Sequence, residues 1–296
     1  MSLLPNLLIV GAAKSGTTSL HNYLNQHPDV FMCSPKEPHF LINKDIGEKR
    51  IPNGIIDIDD YKLLFKGNEY KKYRGESSVM YLQFPEITIS NIKRFLNSDV
   101  KIIIMLRNPT ERAYSGYQHV KRYNVMEKFT FEEALKYSEE RYMSVKNMTP
   151  ASRYLELGMY FSQVKSFLSS FQNVHVIIYD DFKLDACKEL RKVFDFLELD
   201  QINVKFDKRH MIGGWEWKYD WMRQIMIQDN IFKKCIKTLF PSKEIRFVLN
   251  KIIKNRSSRE IEALNPKTEE WLKSFYKKDI AALSKLLDRD LTNWNS

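Results

Sequence analysis

The stretch LLIVGAAKSGTTSL, residues 7–20, constrains the fold more than any other part of the chain. Four apolar residues, Leu7 to Val10, read as a buried strand. Gly11 to Gly16 form a glycine-bounded turn, and Thr17 onward takes helical spacing. A strand, a glycine loop and a helix in that order make a cradle for phosphate-like anions, because loop N–H groups and the helix N-terminus point at the same spot. The spacing of the two glycines fits a nucleotide-triphosphatase loop, but Thr17 stands where the lysine of such a loop belongs. The loop's lysine is Lys14, two residues before the second glycine. The cradle therefore suits a phosphate-like group and suits a nucleoside triphosphate poorly.

The remainder of the chain alternates strands with helices. The clearest strands are Leu7–Val10, Lys101–Leu106 and Val174–Tyr179, with weaker ones around Tyr73–Glu76 and Val30–Met32. Helical spacing covers Thr17–Asn25, Pro109–Tyr123, Phe131–Val145, Tyr160–Phe171, Ala186–Leu197 and Pro266–Leu287. Thr17 and Thr18 are good capping types for the first helix, and Pro109 suits the first turn of the second. In the last helix Trp271, Leu272, Phe275, Ile280, Leu283 and Leu286 are expected in the core. The pattern predicts an α/β fold: a P-loop-like core with a largely parallel sheet flanked by helices, and a helix-rich C-terminal part. In such sheets ligands sit beyond the carboxyl ends of the strands. With 296 residues and no convincing linker, one domain over 1–296 is expected.

Composition narrows the partners. The formal net charge is +10, which favours anionic ligands. Much of the surplus lies between Lys233 and Arg259, interleaved with apolar residues such as Ile236, Leu239 and Ile252. That segment reads either as solvated amphipathic helices or as a surface for an acidic acceptor. Cys33, Cys187 and Cys235 are odd in number and widely spaced, which fits a reducing compartment rather than a disulfide framework or a zinc site. No apolar run is long enough for a membrane span, and no signal-peptide pattern precedes the first strand. A cytoplasmic location is expected, or a Golgi lumenal one if an N-terminal anchor has been removed. The sequons at Asn147 and Asn255 then carry no meaning.

Two further segments carry chemistry. In KIIIMLRNPTERAYS, residues 101–115, a strand ends at Arg107 and a helix follows with Ser115 eight residues on. An arginine fork and a hydroxyl at that spacing suit a phosphate. In SPKEPHF, residues 34–40, Lys36, Glu37 and His39 lie close together beside two prolines.

Taken together, the loop around Lys14, the Arg107/Ser115 pair and Lys36-Glu37-Pro38-His39-Phe40 resemble the sulfotransferases. The motifs are most similar to those of heparan sulfate and other glycan-type enzymes and of bacterial carbohydrate sulfotransferases. The resemblance implies 3′-phosphoadenosine 5′-phosphosulfate (PAPS) as sulfuryl donor and adenosine 3′,5′-bisphosphate (PAP) as product. It places Lys14, Ser15, Gly16, Thr17 and Thr18 at the 5′-phosphosulfate and Arg107 with Ser115 at the 3′-phosphate. It makes Glu37 the base that deprotonates the acceptor hydroxyl, with His39 as the other candidate, and Lys14 the charge that stabilises the leaving phosphate. His119 matches a position in the glycan enzymes.

Gly75-Glu76-Ser77-Ser78 with Tyr81 resembles the family's Gly-Glu-Lys-Ser segment, with Ser77 in place of the lysine. Arg209 to Gly214 stands where the family closes a late loop over the nucleotide, which brings Arg209 and Gly213 to the donor. No metal is implied, since Lys14 and Arg107 supply positive charge. The acceptor implied is a glycan or glycolipid, with no nucleic-acid partner. Two other classes stay open on the residues alone: a P-loop kinase or phosphotransferase, and a non-catalytic polyanion-binding protein.

Overall fold

A computed structural model of the chain describes residues 3–97, 99–206, 215–227, 242 and 258–295. Five strands form one sheet: β1 (Leu7–Gly11), β2 (Val30–Met32), β3 (Tyr73–Ser77), β4 (Lys101–Leu106) and β5 (Val174–Ile178). Their spatial order is β2-β3-β1-β4-β5 and every pairing is parallel. β1 is the central strand, in register with Gly75–Ser77 of β3 on one side and Lys101–Ile104 of β4 on the other. All five of its residues are buried, as the continuous apolar run requires of a strand covered on both faces.

Alternation along the strands feeds two cores. Leu8, Val10, Ile102 and Ile104 face one layer, packed with residues of α2 (Phe40–Ile46), α4 (Pro85–Phe95), α5 (Pro109–Tyr123), α8 (Tyr160–Ser170) and α12 (Pro266–Leu287). Leu7, Ile9, Ile103 and Met105 face the other, under α1 (Thr17–Leu24) and α10 (Ala186–Phe196). Each buried leucine or isoleucine contributes roughly 1.5–3 kcal/mol of transfer free energy. The sheet is thus held from both sides, and its carboxyl edge is a rigid platform.

The topology also says where a ligand belongs. The chain leaves β1 toward β2 on one side and leaves β4 toward β5 on the other. Neighbouring strands with diverging connections open a crevice at their carboxyl ends. Lys14 follows β1 and Arg107 follows β4, so both stand at that switch point.

Several boundaries differ from the sequence reading. The helical stretch 131–145 breaks at Tyr137 into α6 (Phe131–Lys136), closed at its start by a Thr130/Glu133 capping box, and α7 (Ser138–Ser144). The strand read to Tyr179 stops at Ile178, and Tyr179 opens α9 (Tyr179–Leu184). α1 is capped by Gly16, with no side-chain cap bond, rather than by either threonine. In α12, Leu272, Tyr276, Ile280 and Leu283 are buried, whereas Trp271 and Phe275 are 49% and 41% exposed.

Unforeseen elements are α2, α3 (Ile58–Leu63), α4, α9, α11 (Asp220–Ile227) and an antiparallel ribbon of β6 (Trp215–Trp217) with β7 (Ser258–Glu260). α8 lacks a side-chain cap of its own, and Asp279 of α12 accepts from its Tyr160 and Phe161 N–H groups at 2.8 and 3.2 Å. Among the described residues no helix is long and apolar enough to cross a membrane.

Candidate active site

One cavity of about 1270 Å³ opens over the carboxyl edge of the sheet. Its wall includes Lys14, Gly16, Thr17 and Thr18 from the glycine loop and α1, Arg107 and Ser115 from the β4–α5 unit, and Lys36, Glu37 and His39 from the segment after β2. Three motifs read separately in the sequence thus meet at one site.

The loop is tied to the sheet by Ala12 N–H, which donates to the Met105 carbonyl of β4 at 2.6 Å. Lys14 takes φ 68° and Gly16 φ 89°, both left-handed. A Cβ at Gly16 would lie 3.0 Å from two ring carbons of Tyr179, so close approach as well as φ calls for glycine there. Ser15 is fully buried under the loop and does not line the cavity. With no side chain capping α1, its first N–H groups suit an anion. Burial lowers Lys14 to a pKa of about 8, reinforced by the charges of Arg122, Arg107 and Lys36 and opposed by Glu37. That cluster of cations is in deficit of negative charge.

Arg107 shows how an anion would be received. Its Nε and Nη2 both donate to Glu111 Oε2, at 2.9 and 2.6 Å, so a carboxylate one helical turn away sits on the fork. Nη1 reaches the Lys14 carbonyl at 3.4 Å, and the guanidinium lies 5.1 Å from the Tyr179 ring centroid. These contacts tie the arginine to the glycine loop. Ser115 stands two turns along α5 and faces the same cavity.

On the other side, Lys36 Nζ donates to Glu37 Oε1 at 2.7 Å, and His39 Nε2 lies 3.3 Å from Glu37 Oε2. Glu37 and His39 both have left-handed backbones, with φ 65° and 52°. Such conformations cost of order 1 kcal/mol or more each and persist where the surroundings impose them. Burial opposes ionisation of Glu37, but its hydrogen bond to His39 and the charge of Lys36 outweigh it and hold the carboxyl at about 2. His39 is 9% exposed and its Nδ1 is buried without a hydrogen-bond partner.

α5 supplies more than Ser115. His119 and Arg122 follow at helical spacing on the same face, and both line the cavity. Burial, then the charges of Lys14 and Arg122, lowers His119 to about 4, so its imidazole is neutral near pH 7. Arg122 is 5% exposed and is fixed by two bonds from Nε and Nη2 to the Trp215 carbonyl, at 2.9 and 2.6 Å.

Arg50 also reaches the cavity wall, over the Tyr142 ring at 3.9 Å. Neither Arg50 nor Arg122 was anticipated from the sequence. The i, i+4, i+7 series Ser115–His119–Arg122 was the available signal for Arg122, and no motif marks Arg50. Ser77 does not face the cavity: it is buried, with Oγ 2.8 Å from His21 Nδ1. Arg209, Gly213 and nearly all of the basic segment 233–259 lie outside the described residues. Among the described residues no group of three or more His, Cys, Asp or Glu side chains is placed to hold a metal ion.

The sulfotransferase-domain family model matches residues 4–235. Bifunctional heparan sulfate N-deacetylase/N-sulfotransferase 2 of Homo sapiens is 30% identical over 185 residues, which is 61% of this chain and 20% of that protein. Carbohydrate sulfotransferase 15 of Homo sapiens is 27% identical over 256 residues, 68% of this chain and 45% of that one. The chain thus spans less than half the length of these two curated relatives. The crystal structure of a sulfotransferase from Alicyclobacillus acidocaldarius superposes with a TM-score of 0.74 and 30% identity, covering 99% of both chains. With the family match running from before β1 to beyond α11, through every strand that builds the cavity, the chain belongs to the sulfotransferase family of enzymes.

Proposed function

We propose that this chain transfers a sulfuryl group from PAPS to a hydroxyl of a carbohydrate acceptor. The observation that carries the reading is the single cavity that collects Lys14, Arg107 and Ser115 against Glu37 and His39. The donor's residues fit on a test internal to the fold: the Arg107 fork already holds one carboxylate, from Glu111, and an anion of the bound nucleotide would compete for it. Bound PAPS supplies the sulfuryl group and a phosphate leaving group.

The chain's own part is positional and electrostatic. Lys14, with Gly16, Thr17 and Thr18, holds positive charge and donors where negative charge develops on the leaving oxygen. A preorganised donor of this kind is worth about 3 kcal/mol in barrier. Arg107 and Ser115 hold the second phosphate and so fix the nucleotide's register. Arg209 and Gly213 are proposed as further residues of the donor site.

A proton must leave the acceptor hydroxyl as its oxygen bonds to sulfur. Glu37 is the proposed base. Its carboxyl is held at about 2 while Lys36 and His39 are on it, which makes it a weak acceptor in that arrangement. An acceptor hydroxyl that displaces one of those partners removes part of that hold, and burial then raises the carboxyl. The same pairing favours a second reading, in which Glu37 orients His39 and the imidazole takes the proton. Lys36, Arg50 and Arg122 in the cavity wall favour an acceptor bearing negative charge. The names of the curated relatives point the same way, toward carbohydrate.

Incubation with radiolabelled PAPS and a panel of glycans, glycolipids and phenols tests the reading. Transfer to a glycan is expected. Transfer to none of the panel, together with no binding of PAP, refutes it. Glu37→Gln and His39→Asn separate the two bases: the true base loses at least about a hundredfold in kcat, and the orienting partner loses less.

A further inference from the structure

We propose that Glu76 is a positioning residue: its buried carboxylate, acting through the hydroxyls of Ser78 and Tyr81, sets the left-handed turn that presents Glu37 and His39 to the cavity. The inference rests on the reading that this turn faces the acceptor.

Glu76 lies on β3 in register with Leu8 of the central strand and is fully buried. Nothing in the transfer step itself uses it. Its Oε1 accepts from Tyr61 OH at 2.6 Å and Tyr81 OH at 2.7 Å, and its Oε2 accepts from Ser78 Oγ at 2.6 Å.

Each of the three donors then touches one residue of the segment 39–41. The His39 N–H donates to Ser78 Oγ at 3.0 Å. The Phe40 ring stacks on the Tyr61 ring with centroids 4.2 Å apart and planes 14° apart. The Leu41 N–H donates to Tyr81 OH at 3.2 Å.

This arrangement answers a need of the sequence. α2 begins at Phe40 from a left-handed His39 and has no side-chain cap of its own. Its first N–H groups lack acceptors within the helix. The hydroxyls of Ser78 and Tyr81 supply them from another part of the chain. Burial pushes the Glu76 carboxyl up while the hydrogen bonds from Ser78, Tyr61 and Tyr81 act against it, and in its ionised form the group accepts only. Facing it, both hydroxyls must turn their hydrogens toward Glu76, which leaves their lone pairs for the two backbone N–H groups. Glu76 thereby fixes the polarity of both caps. An amide in its place would present an N–H to Ser78 and turn that hydroxyl round.

The positive φ values of Glu37 and His39 need such an anchor, because neither residue adopts them at low cost. The donor cradle shares a backbone ladder with this strand, since Ser78 N–H donates to the Ile9 carbonyl at 3.2 Å. The hydroxyls of Ser78 and Tyr81, however, lead to the 39–41 segment, so loosening the Glu76 anchor should disturb the acceptor side first.

The test uses the full chain with Ser78→Ala, Ser78→Thr and Glu76→Gln. Site-resolved hydrogen exchange reads the His39 amide, calorimetry reads PAP affinity, and labelled PAPS reads transfer. In Ser78→Ala the His39 amide is expected to exchange about tenfold faster, as loss of one buried hydrogen bond implies. Transfer should fall at least about tenfold while PAP affinity stays within about twofold. Ser78→Thr keeps the hydroxyl and should restore both, and Glu76→Gln should fall between.

Unchanged His39 exchange in both Ser78→Ala and Glu76→Gln overturns the inference. So does a parallel loss of PAP affinity, which marks a general structural role. A Glu37→Gln, His39→Asn double variant that transfers at the wild-type rate overturns instead the reading of the turn, while the exchange result still stands on its own.

Discussion

Replacing Lys14 with methionine should make the ligand-free protein more stable and weaken its hold on the donor, and the first effect follows from one number. Lys14 sits at about 8 instead of 10.5, first because it is buried and then because Arg122, Arg107 and Lys36 surround it. The gap, at about 1.36 kcal/mol per pH unit, corresponds to about 3 kcal/mol held against the charged amine. Between pH 8 and 10.5 the unfolded chain binds the proton more tightly than the folded one, so the group adds stability as pH rises through that window. Below pH 8 the full penalty applies. Lys14→Met removes it, so the variant should gain up to about 3 kcal/mol at pH 7 and lose the stability rise above pH 8.

A bound bisphosphate supplies the missing negative charge and should return the amine to full protonation. At pH 8 the empty site is about half protonated, so PAP binding should take up about 0.5 proton; at pH 9 the uptake rises to about 0.9, and at pH 7 it falls to about 0.1. Calorimetric titration in buffers of different ionisation heat measures this directly, with Lys14→Met as the control that shows none. A wild-type uptake that stays flat from pH 7 to 9, or a Lys14→Met protein that binds PAP as tightly as wild type, would show that Lys14 does not face the donor.

Three further outcomes test neighbouring parts of the site. Arg107→Ala should weaken PAP binding by about ten- to a hundredfold, the worth of charge-assisted bonds to phosphate, while leaving binding of adenosine 5′-monophosphate nearly unchanged. Equal losses for both nucleotides would assign Arg107 to the wrong phosphate. Glu111→Gln weakens the carboxylate that occupies the Arg107 fork, so PAP affinity measured by calorimetry should rise by up to about fivefold, the worth of an exposed ion pair. Gly16→Ala puts a Cβ 3.0 Å from the Tyr179 ring at φ 89° and should cost about 1–2 kcal/mol in urea unfolding, with PAP affinity reduced as the loop shifts.

What the sequence could convey depended on how much of each signal was local. Lys101–Leu106, Pro109–Tyr123, Val30–Met32 and Pro266–Leu287 match the observed elements residue for residue, because an apolar run or a helical stripe is written into consecutive residues. The three motifs singled out as candidate phosphate and acceptor contacts are also local in the chain, and the parallel sheet order brings them to one edge.

The failures came where two residues compete or where a partner is remote. Trp271 and Leu272 are adjacent and point about 100° apart on a helix, so both cannot face one core; Leu272 is buried and Trp271 is half exposed. α2 escaped notice because its N–H groups are capped by hydroxyls 39 and 40 residues away rather than by a neighbouring Ser, Thr or Asp. Arg50 belongs to the site only through folding, since nothing beside it in the chain marks an anion. Glu76 is the sharpest instance. Its sequence context matched a family segment without assigning Glu76 a task, and the structure buries it with three hydroxyls on it. Where a motif residue can be either a contact or a support, burial decides, and burial is the property a single sequence states least directly.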